Sequence, residues 1–220
     1  MIKGAVFDMD GLMFDSERFV YEIWQSMLDE IGLEYNLNIY KNTVGLRADR
    51  TEVYYKSIYG RDFDYKTLKA KSRQLFYERV ERDGVPVKKG LFELLEYLKT
   101  QNIKISLATS TSSQTALKLL KMAKVYDYFD AFVCGDDVKN GKPHPEVFLT
   151  AAERLKLAPE SCAAFEDSIN GIKSASAAGM KTVMVPDFLQ PTDEVLVLID
   201  FICEDLSQAI KYIENENIAK

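Results

Sequence analysis

Four short stretches carry side chains suited to handling a small charged group. Phe7-Asp8-Met9-Asp10-Gly11 closes an apolar run with two acids two residues apart. On an extended chain such residues point the same way, about 6.6 Å apart at ~3.3 Å per residue. Asp8 and Asp10 can therefore address one ligand, and they repel each other unless a cation or a shared proton intervenes. A second pair, Glu166-Asp167, follows the apolar run Cys162–Phe165 and precedes Ser168, a residue type that caps helices. Capping accounts for one acid there, not two. Oxygen ligands from these four acids suit a hard, octahedral cation, so Mg²⁺ is expected ahead of zinc.

The third stretch, Thr109-Ser110-Thr111-Ser112-Ser113, ends the run Ile103–Ala108. Its hydroxyls and the N–H groups of a following helix can bind an anion, although helix capping alone would also use them. The fourth, Asn140-Gly141-Lys142-Pro143, holds a lysine in a Gly/Pro turn, able to neutralise a phosphate or a carboxylate. It is not a P-loop: six residues lie between Gly135 and Lys142 where that motif has five, and Pro143 replaces the Ser or Thr.

The elements that must position these groups follow from periodicity. Beyond residue 100, apolar runs at Ile103–Ala108, Ala131–Gly135, Cys162–Phe165, Thr182–Val185 and Phe201–Cys203 alternate with segments of helical period at Gln114–Ala123, Glu146–Leu155, Ile169–Ala178 and Leu206–Glu214. Gly179 is an expected helix stop. This rhythm predicts an α/β fold, a Rossmann-like doubly wound parallel sheet with helices on both faces. The strand Ala5–Phe7 stands apart, and residues 16–86 read as helices at Phe19–Ile31, Arg50–Ser57 and Lys66–Arg82, with turns near Gly32, Gly45 and Gly60. The expected organisation is a core of residues 1–15 and 87–220 with a small α-helical cap, residues 16–86, inserted after the first strand. Charge separates the two: the block 16–86 holds 12 basic and 12 acidic residues, while the remainder holds 16 and 22 and carries the whole −6. All four chemical stretches follow strand ends, which a folded sheet brings to one edge.

Composition excludes several classes of function. The 220 residues are 47% hydrophobic and 28% charged, enough to bury a core. A charge of −6 argues against nucleic acid as a partner. The longest nearly apolar stretch, Val195 to Cys203, is too short to span a bilayer, and Asp8 and Asp10 interrupt the opening residues, so neither a membrane span nor a leader is expected. Cys134, Cys162 and Cys203 lie in separate apolar runs and read as reduced core thiols of a cytoplasmic protein. The single histidine, His144, leaves no room for a His-rich zinc site and little for a Ser-His-Asp or Cys-His site. Its place in Lys142-Pro143-His144-Pro145 suggests a structural or peripheral role. The chemistry belongs to carboxylates.

Asp8-Met9-Asp10-Gly11-Leu12, Thr109 after an apolar strand, Gly141-Lys142-Pro143 and Glu166-Asp167 resemble, in order and rough spacing, the four motifs of the haloacid dehalogenase (HAD) superfamily. The match runs over nearly the whole chain, and the helical block lies where small-cap members insert their lid. Phe7–Glu17, Asn140–Phe148 and Cys162–Asp187 resemble the branch of sugar-phosphate phosphatases, pseudouridine-5′-phosphatases and β-phosphoglucomutases.

The resemblance implies roles. Asp8 would attack phosphorus and form an aspartyl-phosphate. Asp10 would protonate the leaving oxygen and then activate water. Thr109, Ser110 and Lys142 would hold the phosphoryl oxygens. Mg²⁺ would bridge Asp8, the Asp10 main-chain carbonyl and Asp167, with Glu166 a direct ligand or one step behind.

In the cap, mutase-type members carry a histidine twelve residues after the nucleophile, where this chain has Val20, and an arginine three residues after a loop glycine, where Arg47 stands one position early after Gly45. A mutase must keep its phospho-enzyme while a sugar reorients, whereas a phosphatase needs only water, so Val20 favours hydrolysis. Arg47 and Arg73 are candidates for gripping the non-reacting end of the substrate. Lys66, Lys69 and Arg73 also share one helical face and read first as a solvated basic stripe. The expected function is a monomeric, cytoplasmic, Mg²⁺-dependent phosphatase of a small phosphorylated sugar, polyol or nucleotide. The rivals are a hexose phosphomutase and a receiver-like module that takes up phosphate on Asp8 without turnover.

Overall fold

A computed structural model of the chain describes residues 1–44 and 48–218. Contacts divide the chain into two compact units, Met1–Asp15 with Pro86–Lys220, and Ser16–Val85. The first strand, β1 (Gly4–Phe7), is buried along its whole length, as a central strand covered on both faces must be. The helices α1 (Ser16–Asp29), α2 (Leu37–Lys41), α3 (Ala48–Tyr59) and α4 (Tyr65–Asp83) form the second unit. The chain returns to the first unit for α5 (Leu91–Thr100), β2 (Lys104–Ala108), α6 (Ser113–Met122), β3 (Ala131–Val133), α7 (Glu146–Leu155), β4 (Cys162–Glu166) and α8 (Ile169–Ala177). It ends with β5 (Lys181–Met184), α9 (Asp193–Leu196), β6 (Phe201–Ile202) and α10 (Ala209–Ile218).

The sheet is parallel throughout, in the order β3-β2-β1-β4-β5-β6. The winding direction reverses between β1 and β4, which creates a crevice beyond their carboxyl ends. Pairing there is in register, Val6 opposite Ala164 and Phe7 opposite Phe165. Residues alternate between faces. Val6 and Ala164 join Val147, Phe148, Ala151 and Leu155 of α7 in one core layer. Phe7 and Phe165 turn the other way and stack at 4.7 Å.

The expected doubly wound α/β core is present, and most element limits fall within three residues of the sequence pattern. β1 ends at Phe7, as the sequence pattern has it, and the Asp8 N–H still bonds the Phe165 carbonyl at 3.0 Å before the chain turns at Gly11. Two later limits differ. β3 ends at Val133 rather than Gly135, because Cys134 turns with its N–H on the Asp137 carboxylate. The segment read as one helix from Leu206 begins as a single 3₁₀ turn, with α10 following. α5 is an additional element, burying Leu91, Leu94, Leu95 and Leu98.

In the helical unit, the rings of Trp24 of α1, Tyr55 of α3 and Tyr65 of α4 cluster, with Trp24 5.1 Å from Tyr55 and 5.9 Å from Tyr65 and the two tyrosines 5.6 Å apart. The buried Tyr35 and Tyr55 hydroxyls satisfy each other at 2.8 Å. Aromatic pairs with a hydrogen-bonded polar tip suit a core too small for long aliphatic layers. Among the described residues no helix is long and apolar enough to cross a membrane. All three cysteines are free and buried.

Candidate active site

Parallel pairing places the ends of β1 and β4 side by side, so Asp8 and Glu166-Asp167 meet at the crevice although more than 150 residues separate them in sequence. Lys142 reaches the same point from the loop before α7. Its Nζ donates to Asp8 Oδ1 and to Glu166 Oε1, both at 2.5 Å, and lies 5.0 Å from the Phe148 ring centre. The lysine side chain is 7% exposed and that of Glu166 is fully buried, so the bridge sits where charge is weakly screened.

Burial is the largest influence on both partners. It pushes Asp8 up to about 8, against the pull of Lys142 and with help from the neighbouring Glu166 and Asp10 carboxylates. Burial alone would push Lys142 down, but Asp8 and Glu166 overcome it and hold the ammonium above the ordinary lysine value. The lysine is thus a permanent positive charge among four carboxyl groups.

Glu166 is fixed from every side. While Oε1 takes Lys142, Oε2 accepts from Asp167 N–H at 3.1 Å, Ser168 N–H at 3.0 Å and the Ser168 hydroxyl at 2.9 Å. Ser168 is also the expected cap of α8, accepting from Gly171 N–H at 3.0 Å. The helix start and the carboxylate therefore share one network. Gly171 makes room for it, since a Cβ there would lie 1.8 Å from the Glu166 carboxyl carbon. Gly171→Ala is expected to displace Glu166 and lower kcat/KM by about 10²-fold through Lys142, as misplacement by an ångström does. Steady-state kinetics check this, and a value within about threefold of wild type would refute the argument.

The acidic group fits a cation. Asp8, Glu166 and Asp167 are all buried and bring carboxylate oxygens within 4.8 Å of one another. Gly11 adopts φ +83°, and a Cβ there would come 2.2 Å from Asp167 Oδ2, so the turn after Asp10 is moulded against Asp167. One lysine against Asp8, Asp10, Glu166 and Asp167 leaves an excess of negative charge that an oxygen-preferring divalent ion would offset. A second group, Cys134, Asp136 and Asp137, is already engaged, with Ser113 bonded to Asp136 and Arg154 to Asp137.

The remaining expected residues divide. Thr109 is buried at the end of β2, its Oγ1 accepting Thr111 N–H at 3.1 Å. Ser110 is exposed. Arg73 is exposed on α4, its guanidinium 5.9 Å from the Tyr77 ring centre. Arg47 lies outside the described residues. His144 is exposed and hydrogen-bonds locally, its Nδ1 accepting Glu146 N–H at 3.3 Å. Thr111 is the residue that sequence reasoning did not single out: its hydroxyl donates to Asp10 Oδ2 at 2.7 Å. Only the anion-binding and helix-capping readings of its Ser/Thr run touched it, and nothing local pointed to Asp10.

Comparison with known proteins gives the lineage of the chain. The sequence profile of haloacid dehalogenase-like hydrolases matches residues 5–185. The chain is 31% identical over 186 residues to a phosphorylated carbohydrates phosphatase of Thermotoga maritima, covering 83% of this chain and 84% of that protein. It is 31% identical over 216 residues to hexitol phosphatase B of Escherichia coli K12, covering 94% of each. In fold it resembles β-phosphoglucomutase of Clostridium difficile, with a TM-score of 0.76, 24% identity and full coverage of both chains. With most of its length matched by the profile and by these relatives, the chain belongs to the haloacid dehalogenase-like hydrolase family.

Proposed function

We propose that this protein is a Mg²⁺-dependent phosphomonoesterase that hydrolyses a small phosphorylated sugar or polyol through an aspartyl-phosphate on Asp8. The observation that carries the reading is the Lys142 ammonium held between buried Asp8 and Glu166 at the sheet's switch point. At Asp8 the pull of Lys142 works against burial, toward the ionised form that a nucleophile needs.

In the first step an Asp8 oxygen forms a bond to phosphorus while the ester P–O bond breaks. The electron pair stays on the leaving oxygen, which takes a proton from the Asp10 carboxyl. In the second step water attacks the same phosphorus and gives its proton to Asp10. The acyl-phosphate P–O bond then breaks, releasing inorganic phosphate and restoring the Asp8 carboxylate. Thr109 and Ser110 orient phosphoryl oxygens, and Lys142 offsets their charge. Asp8, the Asp10 main-chain carbonyl and Asp167 would hold the Mg²⁺ ion, with Glu166 one step behind, committed to Lys142 and the start of α8. The bound ion supplies further positive charge to the phosphoryl oxygens. Arg47 and Arg73 take the part of the substrate remote from the phosphate. The relatives' names support a phosphorylated carbohydrate or hexitol, and the three buried thiols agree with a reducing cytoplasm.

The test is phosphate release from a panel of hexose, hexitol and nucleotide phosphates. Chelation of divalent metal is expected to lower turnover by about 10²-fold or more, with recovery on adding Mg²⁺; undiminished turnover would remove the metal from the scheme. From β-glucose 1-phosphate with a bisphosphate primer, free phosphate is expected to exceed glucose 6-phosphate. The opposite ratio would establish a mutase.

A further inference from the structure

We propose that Thr111 is a positioning residue that sets the Asp10 carboxyl for proton transfer, an inference that rests on Asp10 acting as the acid/base of the reaction above. Thr111 lies in a Ser/Thr run before α6 whose local use would be capping. The capping is done otherwise. Ser112, at the cap position, makes no side-chain capping bond, its hydroxyl donating instead to Thr115 Oγ1 at 3.3 Å. The Ser113 N–H and hydroxyl are both taken by Asp136, at 2.9 and 2.6 Å.

Thr111 is therefore released from a helix-capping role, and its hydroxyl spans 101 residues of sequence to donate to Asp10 Oδ2 at 2.7 Å. Its own backbone is pinned on both sides. The Thr111 N–H donates to Thr109 Oγ1 at 3.1 Å, and its carbonyl accepts Gly135 N–H at 2.9 Å. A rigid donor on one carboxyl oxygen fixes rotation about the Asp10 Cβ–Cγ bond.

In forming the phospho-enzyme, the Asp10 proton moves to the leaving oxygen as the ester P–O bond breaks. An alkyl alcohol needs that proton, whereas p-nitrophenolate departs without it. The constant kcat/KM reports this first step. Thr111→Val is expected to lower kcat/KM for a hexitol phosphate by about 10²-fold and for p-nitrophenyl phosphate by less than about threefold. Thr111→Ser is expected to keep the wild-type ratio of the two. Because the ratio comes from one preparation, partial unfolding cancels.

Asp10→Asn, measured in parallel, separates the two layers of the argument. If Asp10→Asn discriminates between the esters and Thr111→Val does not, the positioning role fails while the acid role stands. If Asp10→Asn shows no discrimination either, both fail. An equal loss on both esters with raised KM in Thr111→Val would make Thr111 a phosphoryl-binding residue and overturn the proposal.

Discussion

Asp8→Asn is expected to abolish turnover, lowering kcat/KM by at least about 10⁴-fold, on the scale seen when a covalent nucleophile is removed. The amide keeps the shape of the carboxylate but offers no anionic oxygen to phosphorus. The protein should nonetheless stay folded. Burial pushes Asp8 well above the ordinary carboxylate range, so at neutral pH its ionised form works against the folded state, and a neutral amide relieves that. In the absence of divalent metal, the Asn protein is therefore expected to melt no lower than wild type. Phosphate release and thermal melting on the same preparation check both halves. Near wild-type hydrolysis would remove Asp8 as the nucleophile.

Lys142→Met is expected to lower kcat/KM by about 10³-fold and also to destabilise, which distinguishes it from the Asp8 variant. Methionine matches the length of the lysine stem and can still pack on Phe148, so the loss is of charge rather than volume. Without the ammonium, Asp8 and Glu166 face each other unpaired in a buried site. Removing one member of a buried ionic network costs about 3–5 kcal/mol, which for a chain of this size lowers Tm by roughly 10 °C. An unchanged Tm with full loss of activity would show that Lys142 serves catalysis alone.

Much of the architecture was legible because it rests on local rules. The strand runs after residue 100 are continuous and apolar, as buried parallel strands must be. The helix Glu146–Leu155 shows its buried face in Val147, Phe148, Ala151, Ala152 and Leu155. Ser168 and Gly179 sit at a helix start and just past a helix end, where their types predict. α5 was equally legible in Leu91, Leu94, Leu95 and Leu98, since that spacing is a helical face. The end of β1 at Phe7 was legible too, because the apolar run gives way there to Asp8.

By itself the sequence determined which groups are available and that each follows a strand of one parallel sheet, because residue chemistry and periodicity are carried by neighbours along the chain. With a single histidine, it also directed the expected chemistry to acids, one lysine and hydroxyls. Only the tertiary structure decided their pairing: Lys142 with Asp8 and Glu166, Glu166 with the start of α8, and Thr111 with Asp10. Those partners stand 24 to 134 residues apart except at the α8 start. Whether a carboxylate binds a cation, braces a lysine or moves a proton depends on which donors the packed sheet brings to each oxygen.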